Sequence, residues 1–262
     1  MERLTVSIVL YRADPGLLQA TLRSLVVASR EADLVPDLFL IDNGGSEVAL
    51  AGLQLPDDWQ VHVFTGHGNV GFGHGHNLSL EGAGDYHLIL NPDLELSPDA
   101  LVAARSFMRD YAECGLLVPA ARWDDGRVQY LCKRVPTVFD LFLRGFAPGW
   151  LRHRFDARLA RYEMRDLIGG QVLWDPPIAS GCCMLFRTEA LRRLKGFDPR
   201  FFLYFEDFDL SLRAHSVTRI AYVPAVKVVH HGGHAARKGL RHIGLFARSA
   251  LTFFRLHGWK WY

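Results

Sequence analysis

Short apolar segments alternate with helical patterns along most of this 262-residue chain, and this alternation limits the folds open to it. Apolar and β-branched residues are concentrated at 4–10, 38–41, 59–64, 88–90 and 115–119. Leucines and valines at helical spacing follow Pro15, and residues 98–111 form a second helical pattern. This alternation predicts an α/β fold with a mostly parallel, doubly wound sheet flanked by helices. Such sheets bind ligands at the carboxyl ends of their strands.

Composition is that of a chain with a well-filled core. Hydrophobic residues make up 49% of the sequence, and no apolar run reaches the roughly 18 residues that a membrane-spanning helix needs. The first predicted strand lacks the features of a signal peptide, and the four cysteines show no CxxC spacing. We therefore expect a reduced, cytoplasmic protein without a zinc site. The net charge of +2 is too small to indicate a nucleic-acid partner.

Polar clusters follow two of the predicted strands. The motif DNGGS begins at Asp42, and the motif NPD runs from Asn91 to Asp93. Hard cations such as magnesium and manganese bind carboxylate and phosphate oxygens, so Asp93 is a candidate metal ligand. The turn chemistry of an Asx-Pro pair is the alternative explanation for this residue. Both clusters lie where a doubly wound sheet binds its ligand.

A glycine-rich segment, GHGNVGFGHGHN, occupies residues 66–77. Its first six residues match the dinucleotide fingerprint GxGxxG. That fingerprint belongs to the first turn of a βαβ unit, whereas this segment follows a third strand. A loop whose backbone approaches a ligand closely explains the glycines better. A flexible surface loop is the alternative.

The segment FFLYFEDFDLSLR, residues 201–213, places Glu206 and Asp207 directly after four aromatic residues. An apolar wall beside a carboxylate raises its pKa and prepares it for proton abstraction. Acidic residues are also common in the first turn of a helix, where the helix dipole favours negative charge. Both interpretations stand on this segment alone.

Residues 132–175 show little periodicity and mix aromatic residues with arginines. We interpret them as a partly helical insertion over the face that binds the ligand. Single strands are expected at 220–223 and 226–229, ahead of the histidine cluster HHGGH.

The last part of the chain, residues 239–262, is predicted to form an amphipathic helix. Its basic residues lie outside the apolar face, and aromatic residues close the chain. Such a helix is a candidate for lying in a membrane interface, and packing against the domain is the alternative. We expect one domain over residues 1–235, followed by a helical extension at 236–262.

The motifs in combination resemble the family 2 glycosyltransferases, and most of all their bacterial rhamnosyltransferase-like branch. The matching segments are VSIVLY, IDNGGS, NVGFGHGHN, LNPD, SGCCMLFR, GFDPRFFLYFEDFDLSLR and VVHHGG, in that order over residues 4–235. The resemblance implies the GT-A fold and transfer of a sugar from a nucleotide-diphosphate donor with inversion at the anomeric carbon. It also implies a divalent cation, Mg²⁺ or Mn²⁺.

The resemblance implies that five residues bind the donor. Asp42 would contact the nucleotide base, and Asn69, Gly71 and Asn77 would lie near the nucleotide. Asn91 stands at the first position of the family's DxD motif, where this branch commonly carries asparagine.

The resemblance further implies which groups carry out the chemistry. Asp93 matches the last acid of the DxD motif and would be the one firm carboxylate ligand of the metal. Glu206 and Asp207 match the ED motif, in which one carboxylate, preferably Asp207, deprotonates the acceptor hydroxyl. His230 would contact the metal or the diphosphate, with His231 as the near alternative.

The expected donor is dTDP-rhamnose, and the expected acceptor is a saccharide or a lipid-linked saccharide in cell-surface polysaccharide or O-antigen synthesis. Contact with the inner face of the membrane would suit such an acceptor. A UDP-hexose donor and a non-catalytic carbohydrate-binding or scaffold protein stay open as alternatives. A nucleotidyltransferase would require a glycine-rich, basic signature after the first strand, and the segment YRADP lacks it.

Overall fold

The computed structural model of the chain describes residues 2–232 and 240–262. Its strands are β1 (Leu4–Leu10), β2 (Asp37–Asp42), β3 (Val61–Phe64), β4 (Tyr86–Leu90), β5 (Leu94–Leu96), β6 (Cys114–Arg122), β7 (Val128–Gln129), β8 (Cys132–Lys133), β9 (Leu173–Trp174), β10 (Ile178–Ala179), β11 (Cys183–Arg187) and β12 (Arg219–His230). Its helices are α1 (Pro15–Glu31), α2 (Glu47–Ala51), α3 (Phe72–Asn77), α4 (Ala100–Asp110), α5 (Val138–Gly145), α6 (Gly149–Arg154), α7 (Asp156–Tyr162), α8 (Thr188–Arg193), α9 (Glu206–Ala214) and α10 (Leu240–His257).

The central sheet has the strand order β3-β2-β1-β4-β11-β6-β12-β5, with β7 beside β6 and β9 beside β12. Strands β3, β2, β1 and β4 are mutually parallel, and β6 is parallel to β12. Strand β11 is antiparallel to both of its neighbours, β4 and β6. Strands β4, β6 and β12 therefore point in the same direction. The predicted mostly parallel α/β sheet flanked by helices is confirmed.

The hydrophobic pattern explains how α1 packs on this sheet. The Asp14 side chain accepts a hydrogen bond from the Leu17 N–H at 2.9 Å, and Pro15 occupies the first turn, so the helix begins where the sequence predicts. Leu18, Leu22 and Leu25 repeat every three or four residues and are fully buried.

A buried polar network links Ser7 of β1 to His87 of β4 and to His76 of the glycine-rich segment. The Ser7 hydroxyl lies 2.7 Å from His76 Nδ1 and 2.9 Å from His87 Nε2. Burial lowers the pKa of both imidazoles, that of His87 to about 4. Both rings are therefore neutral at physiological pH.

Two predicted strand boundaries differ from the structure. The two strands expected at 220–223 and 226–229 form the single strand β12, with a register shift between Val223 and Lys227. Pro224 lies in that shift, where it cannot donate to the ladder, and the chain bulges and continues. Residues 176–186, which the sequence predicts to return to a strand through a small-residue turn, form the two short strands β10 and β11. Their peptide groups between the two strands bond elsewhere: the Ser180 N–H donates to the Leu131 carbonyl.

The insertion at 132–175 is partly helical, as predicted, and it begins and ends in the strands β8 and β9. A capping box of Thr137 and Asp140 starts α5. Asp140 also accepts a hydrogen bond from Arg158 of α7 at 2.6 Å, which ties the first and last helices of the insertion together.

Helix α10 packs against the domain. Phe253 and Phe254 join Phe201, Phe205 and Leu141 in one buried cluster. The packing alternative is thus the one observed for this helix. The predicted helix start at residue 239, the third histidine His234 and the domain boundary at residue 235 lie outside the described residues, so the domain division remains a prediction. No helix in the described part of the chain is both long and apolar enough to cross a membrane.

Candidate active site

The sheet topology gathers the predicted site residues at one edge. Leu90, at the end of β4, pairs with Cys183 at the start of β11, and Leu94, at the start of β5, pairs with His230 at the end of β12. The NPD motif joins Leu90 to Leu94. It therefore lies between the start of β11 and the end of β12. Segments that are 90 to 140 residues apart in the sequence meet here because β11 and β5 run antiparallel to their neighbours.

Asp93 and His230 face each other at this edge, with His230 Nε2 3.3 Å from Asp93 Oδ1. The Gln129 side-chain oxygen lies 2.9 Å from His230 Nδ1, and in the tautomer with the proton on Nδ1 the Nε2 lone pair faces the carboxylate. Trp123 stacks on the His230 ring at 5.9 Å with an interplanar angle of 7°. Two electron-rich atoms held in this way would be stabilised by a cation between them.

His231 points elsewhere. Its Nε2 lies 2.7 Å from Glu95 Oε1, and its peptide N–H donates to the Asp93 carbonyl at 2.9 Å. Of the two neighbouring histidines, His230 is the one whose ring is held against Asp93.

Asn91 is the first residue of the NPD motif that ends at Asp93. Its peptide N–H donates to the Cys182 carbonyl at 2.9 Å, and its Oδ1 is buried without a hydrogen-bond partner among residues 2–232 and 240–262. An amide oxygen is a suitable ligand for a hard cation. Within those same residues, His, Cys, Asp and Glu side chains form no group of three or more that could hold a metal.

The Asp207 carboxylate is buried and held by backbone N–H groups. Gly181 donates to its Oδ2 at 2.9 Å, and Phe208 donates to its Oδ1 at 3.0 Å. Burial raises the pKa of Asp207, while these two hydrogen bonds and the nearby Lys133 ammonium oppose that rise. Asp207 is therefore more basic than an ordinary aspartate, and the two N–H donors favour its charged form.

Glu206 has a different environment. Its Oε2 has no hydrogen-bond partner in the described part of the chain. Burial, and then the charge of Asp207, raise the pKa of Glu206 well above its usual value. The two acids titrate as a coupled pair, and the hydrogen bonds to Asp207 favour its charged form, so a proton shared by the pair favours Glu206. Both lie in the first turn of α9, so the two sequence interpretations of this segment apply together.

Sequence reasoning did not single out Lys133, which it counted only among clustered basic residues. This side chain is 5% exposed, and its ammonium donates to the Tyr130 carbonyl at 3.0 Å. Burial, and then the charge of Arg144, lower the pKa of Lys133 to about 8, and Asp207 acts in the opposite direction. The one available signal was a lysine directly after the apolar residues Leu131 and Cys132.

The charges of Asp93 and Asp207 both act on the Cys182 thiol. Burial raises the pKa of the Cys182 thiol to about 12, and the charges of both carboxylates add to that increase. The candidate metal ligand and the candidate base thus lie on the same side of the molecule, on either side of the start of β11.

Loops after β2 and β3 form the neighbouring part of the edge. Asp42 is buried, and its Oδ1 accepts a hydrogen bond from the Gly44 N–H at 2.8 Å. Asn43, which the motif analysis did not single out, donates to the Gly71 carbonyl at 3.0 Å. Asn69 accepts from the Gly71 N–H at 3.0 Å. These bonds join the DNGGS motif to the glycine-rich segment.

Gly71 brings the glycine-rich segment against the residues that precede α9. Its φ of 90° and ψ of 177° are accessible almost only to glycine, and a Cβ at this position would overlap the carbonyl oxygen of Phe202. The Phe72 N–H donates to that same carbonyl at 3.0 Å. Tyr204 and Phe205 also adopt positive φ values, 70° and 67°, directly before the two acids. Close packing and a strained backbone thus position the start of α9.

Asn77 lies apart from these contacts. Its side-chain amide donates to the Phe197 carbonyl at 2.8 Å, and its Oδ1 accepts from the Phe197 N–H at 2.9 Å. Both polar groups are therefore used inside the protein. Contact between Asn77 and a nucleotide stays a prediction, and this bonding disfavours it.

Comparison with known proteins places the chain in context. No family model matches it. It is 28% identical to the N-acetylglucosaminyl-diphospho-decaprenol L-rhamnosyltransferase of Mycobacterium tuberculosis, over 98% of this chain and 86% of that protein. It is 27% identical to rhamnosyltransferase WbbL of Escherichia coli K12, over 65% of this chain and 64% of that protein.

Solved structures share the fold. A mannosyltransferase from Pyrobaculum calidifontis in complex with GDP-Man and Mn²⁺ superposes with a TM-score of 0.63 at 16% identity, over 97% of this chain and 64% of that one. GalNAc-T7 with UDP, GalNAc and Mn²⁺ gives a TM-score of 0.62 at 15% identity, over 88% of this chain and 44% of that one. Both sequence relatives are named rhamnosyltransferases, and the structures that share the fold include a mannosyltransferase. The chain has the GT-A fold and is a glycosyltransferase that resembles rhamnosyltransferases in sequence.

Proposed function

We propose that the protein transfers L-rhamnose, with inversion, from dTDP-rhamnose to a lipid-linked saccharide during the synthesis of a cell-surface polysaccharide. The observation that carries this proposal is a buried carboxylate, Asp207, held by backbone N–H groups on the same edge of the sheet as the Asp93–His230 pair. Inverting transfer requires a base on one side of the sugar and stabilisation of the leaving diphosphate on the other.

The residues at the edge fit a divalent cation. Asp93, His230 and the Asn91 side-chain oxygen would hold it, and the cation would stabilise the charge of the departing diphosphate. Among residues 2–232 and 240–262 these three side chains are the candidate ligands, and phosphate oxygens and water would complete the coordination shell. Mn²⁺ appears with a nucleotide or nucleotide sugar in two of the solved structures that share this fold.

Asp207 would act on the acceptor. Its carboxylate takes the proton of the acceptor hydroxyl, the freed oxygen attacks the anomeric carbon, and the bond from that carbon to the diphosphate oxygen breaks. The products are the glycosylated acceptor and dTDP, with the proton on Asp207. Burial suits this role because a raised pKa makes the carboxylate a stronger base, while the Gly181 and Phe208 N–H groups keep it oriented.

The donor would lie over the joined loops of the DNGGS motif and the glycine-rich segment. There Asp42 would meet the base, and Asn69 and Gly71 would line the nucleotide. The names of the two sequence relatives support rhamnose as the sugar, and the decaprenol-linked substrate named for one of them supports a lipid-linked acceptor. Such an acceptor would bring the protein to a membrane surface.

A thermal-shift panel tests the donor. The melting temperature would be measured with dTDP, dTDP-rhamnose, UDP and UDP-glucose, each with and without Mn²⁺. Ligands that bind only the folded state raise the melting temperature with their occupancy. We expect the largest rise with dTDP-rhamnose and Mn²⁺, and we expect Asp93→Asn to lose the part of the rise that depends on Mn²⁺.

The other outcomes are equally informative. A larger shift with UDP-glucose than with dTDP-rhamnose would replace the donor and keep the transferase mechanism. No shift with any nucleotide would contradict the transferase proposal and favour a carbohydrate-binding or scaffold protein of the same fold.

A further inference from the structure

One face of the protein, formed by α5, α6 and α10, exposes large apolar side chains. Phe142 and Phe146, one turn apart at the end of α5, are 44% and 50% exposed, and Trp150 at the start of α6 is 73% exposed. Phe146 contacts Phe246 of α10 with ring centroids 6.2 Å apart, and Ile243, one turn before Phe246, is 44% exposed. We name Phe142, Phe146, Trp150 and Ile243 the aromatic ridge. Exposed apolar patches of this kind mark interaction surfaces.

Basic residues accompany the aromatic ridge in the sequence. Residues 141–155 contain three exposed arginines and no acidic residue, and one of the three, Arg144, pairs with Glu163 at 3.4 Å. Residues 240–262 carry three arginines and one lysine, again without an acidic residue. The acids that flank α5 and α6 in sequence are engaged internally: Asp140 pairs with Arg158, and Asp156 pairs with Arg165. The face therefore combines exposed aromatic rings with a net positive charge.

We infer that the aromatic ridge is the surface through which the protein docks on an anionic lipid bilayer. Aromatic side chains partition into the headgroup region, and arginines beside them attract anionic lipids. This inference extends the proposed use of a lipid-linked acceptor. It also assigns membrane contact to α5, α6 and the first turn of α10, because Phe253 and Phe254 further along α10 are buried against the domain.

Helix α5, which carries part of the aromatic ridge, packs beside the start of α9. Leu141, directly before Phe142 in α5, lies in one buried cluster with Phe205, the residue directly before Glu206 and Asp207. An acceptor anchored in a bilayer under the aromatic ridge would thus present its saccharide close to the candidate base.

Vesicle co-sedimentation of the full chain tests this inference without any substrate. The vesicles would contain phosphatidylcholine alone, or phosphatidylcholine and phosphatidylglycerol in equal parts. We expect the protein to pellet with the anionic vesicles. The double variant Phe146→Ser/Trp150→Ser should lower the partition coefficient about tenfold or more, since two large aromatic contacts are lost. Val48→Ser is the matched control, because Val48 is 79% exposed on α2 and remote from the aromatic ridge.

A second measurement separates this inference from the proposed function. Transfer to a short-chain, water-soluble acceptor should be unchanged in the double variant, while transfer to an acceptor embedded in vesicles should fall with the partition coefficient. Wild-type protein that stays in the supernatant with anionic vesicles would overturn the inference and leave the transferase intact. An equal loss of vesicle binding in Val48→Ser would also overturn the inference. So would a concentration-dependent dimer that the double variant breaks, if the protein does not bind vesicles.

Discussion

Alanine at Gly71 should damage the protein far more than alanine at Gly68, although both glycines lie in the same segment and both have positive φ, 90° and 69°. The difference is what surrounds them. A Cβ on Gly68 would have no neighbour within 4 Å, whereas a Cβ on Gly71 would overlap the Phe202 carbonyl and lie 3.0 Å from the Phe202 ring. The comparison therefore isolates the close approach of the glycine-rich segment to the residues before α9.

The magnitude follows from three contributions. The backbone conformation of Gly71 costs a residue with a Cβ about 2 kcal/mol. Relieving the overlap with Phe202 costs a further 1–3 kcal/mol, on the order of other overpacked sites. Weakening the hydrogen bond from the Phe72 N–H to the Phe202 carbonyl, 3.0 Å in the structure, adds about 1 kcal/mol. Gly68→Ala should cost only about 1–2 kcal/mol, for the positive φ alone.

Urea denaturation of the two variants and the wild-type protein measures this difference. A gap of about 3 kcal/mol in the free energy of unfolding corresponds to a midpoint roughly 1 M lower for Gly71→Ala than for Gly68→Ala, at a slope of about 3 kcal/mol/M. Gly71→Ala should also weaken nucleotide binding, because the loop that it displaces is held by Asn43 and Asn69. Equal midpoints for the two variants would refute the reasoning.

Three further predictions concern Lys133, the buried histidines and α10. Lys133→Met should shift the acidic limb of the pH–rate profile to higher pH, because the Lys133 charge lowers the pKa of Asp207. Lys133→Arg should shift that limb less. An unmoved limb in Lys133→Met would contradict the effect of Lys133 on Asp207. The free energy of unfolding should fall by roughly 3 kcal/mol between pH 6.5 and about 4 through His87 alone, because the unfolded chain binds a proton that the buried ring rejects. His87→Gln should flatten this decline, as measured by urea titrations at each pH. An unchanged decline in the variant would mean that His87 is not its cause. Phe253→Ala should cost about 3–5 kcal/mol, whereas Leu251→Ala on the same helix, 38% exposed, should cost far less; similar urea midpoints would mean that α10 does not pack as described.

Buried apolar strands were the part of the fold that the sequence predicted best. Residues 4–10 are apolar or β-branched except for Ser7 and are buried on both faces, so their pattern matches a central strand. The division of residues 176–186 could not be foreseen, because it depends on Leu131 accepting from Ser180 and on Asp207 accepting from Gly181. Such bonds join residues 26 to 49 positions apart, beyond the reach of any local pattern.

The candidate site likewise has residues that motifs predicted and residues whose roles arise only in the folded chain. Asp93, Asp207 and His230 were identified by motif, but their proximity arises from the antiparallel strands β11 and β5. Gln129 and Lys133 acquire their roles only in the folded chain: Gln129 orients a histidine 101 residues away. The amphipathic pattern of α10 suited a membrane and a protein surface equally, since both bury an apolar face.

Catalysis by Asp207 is the central claim, and one pair of substitutions tests it most directly. Asp207→Asn removes the base and should lower kcat by about 10²–10⁴-fold, with donor affinity retained in the thermal-shift assay. Glu206→Gln places a neutral group of the same shape where burial disfavours the charged carboxylate, so kcat should stay close to the wild-type value. An Asp207→Asn enzyme that retains its kcat, or a Glu206→Gln enzyme that loses as much as Asp207→Asn, would contradict the account.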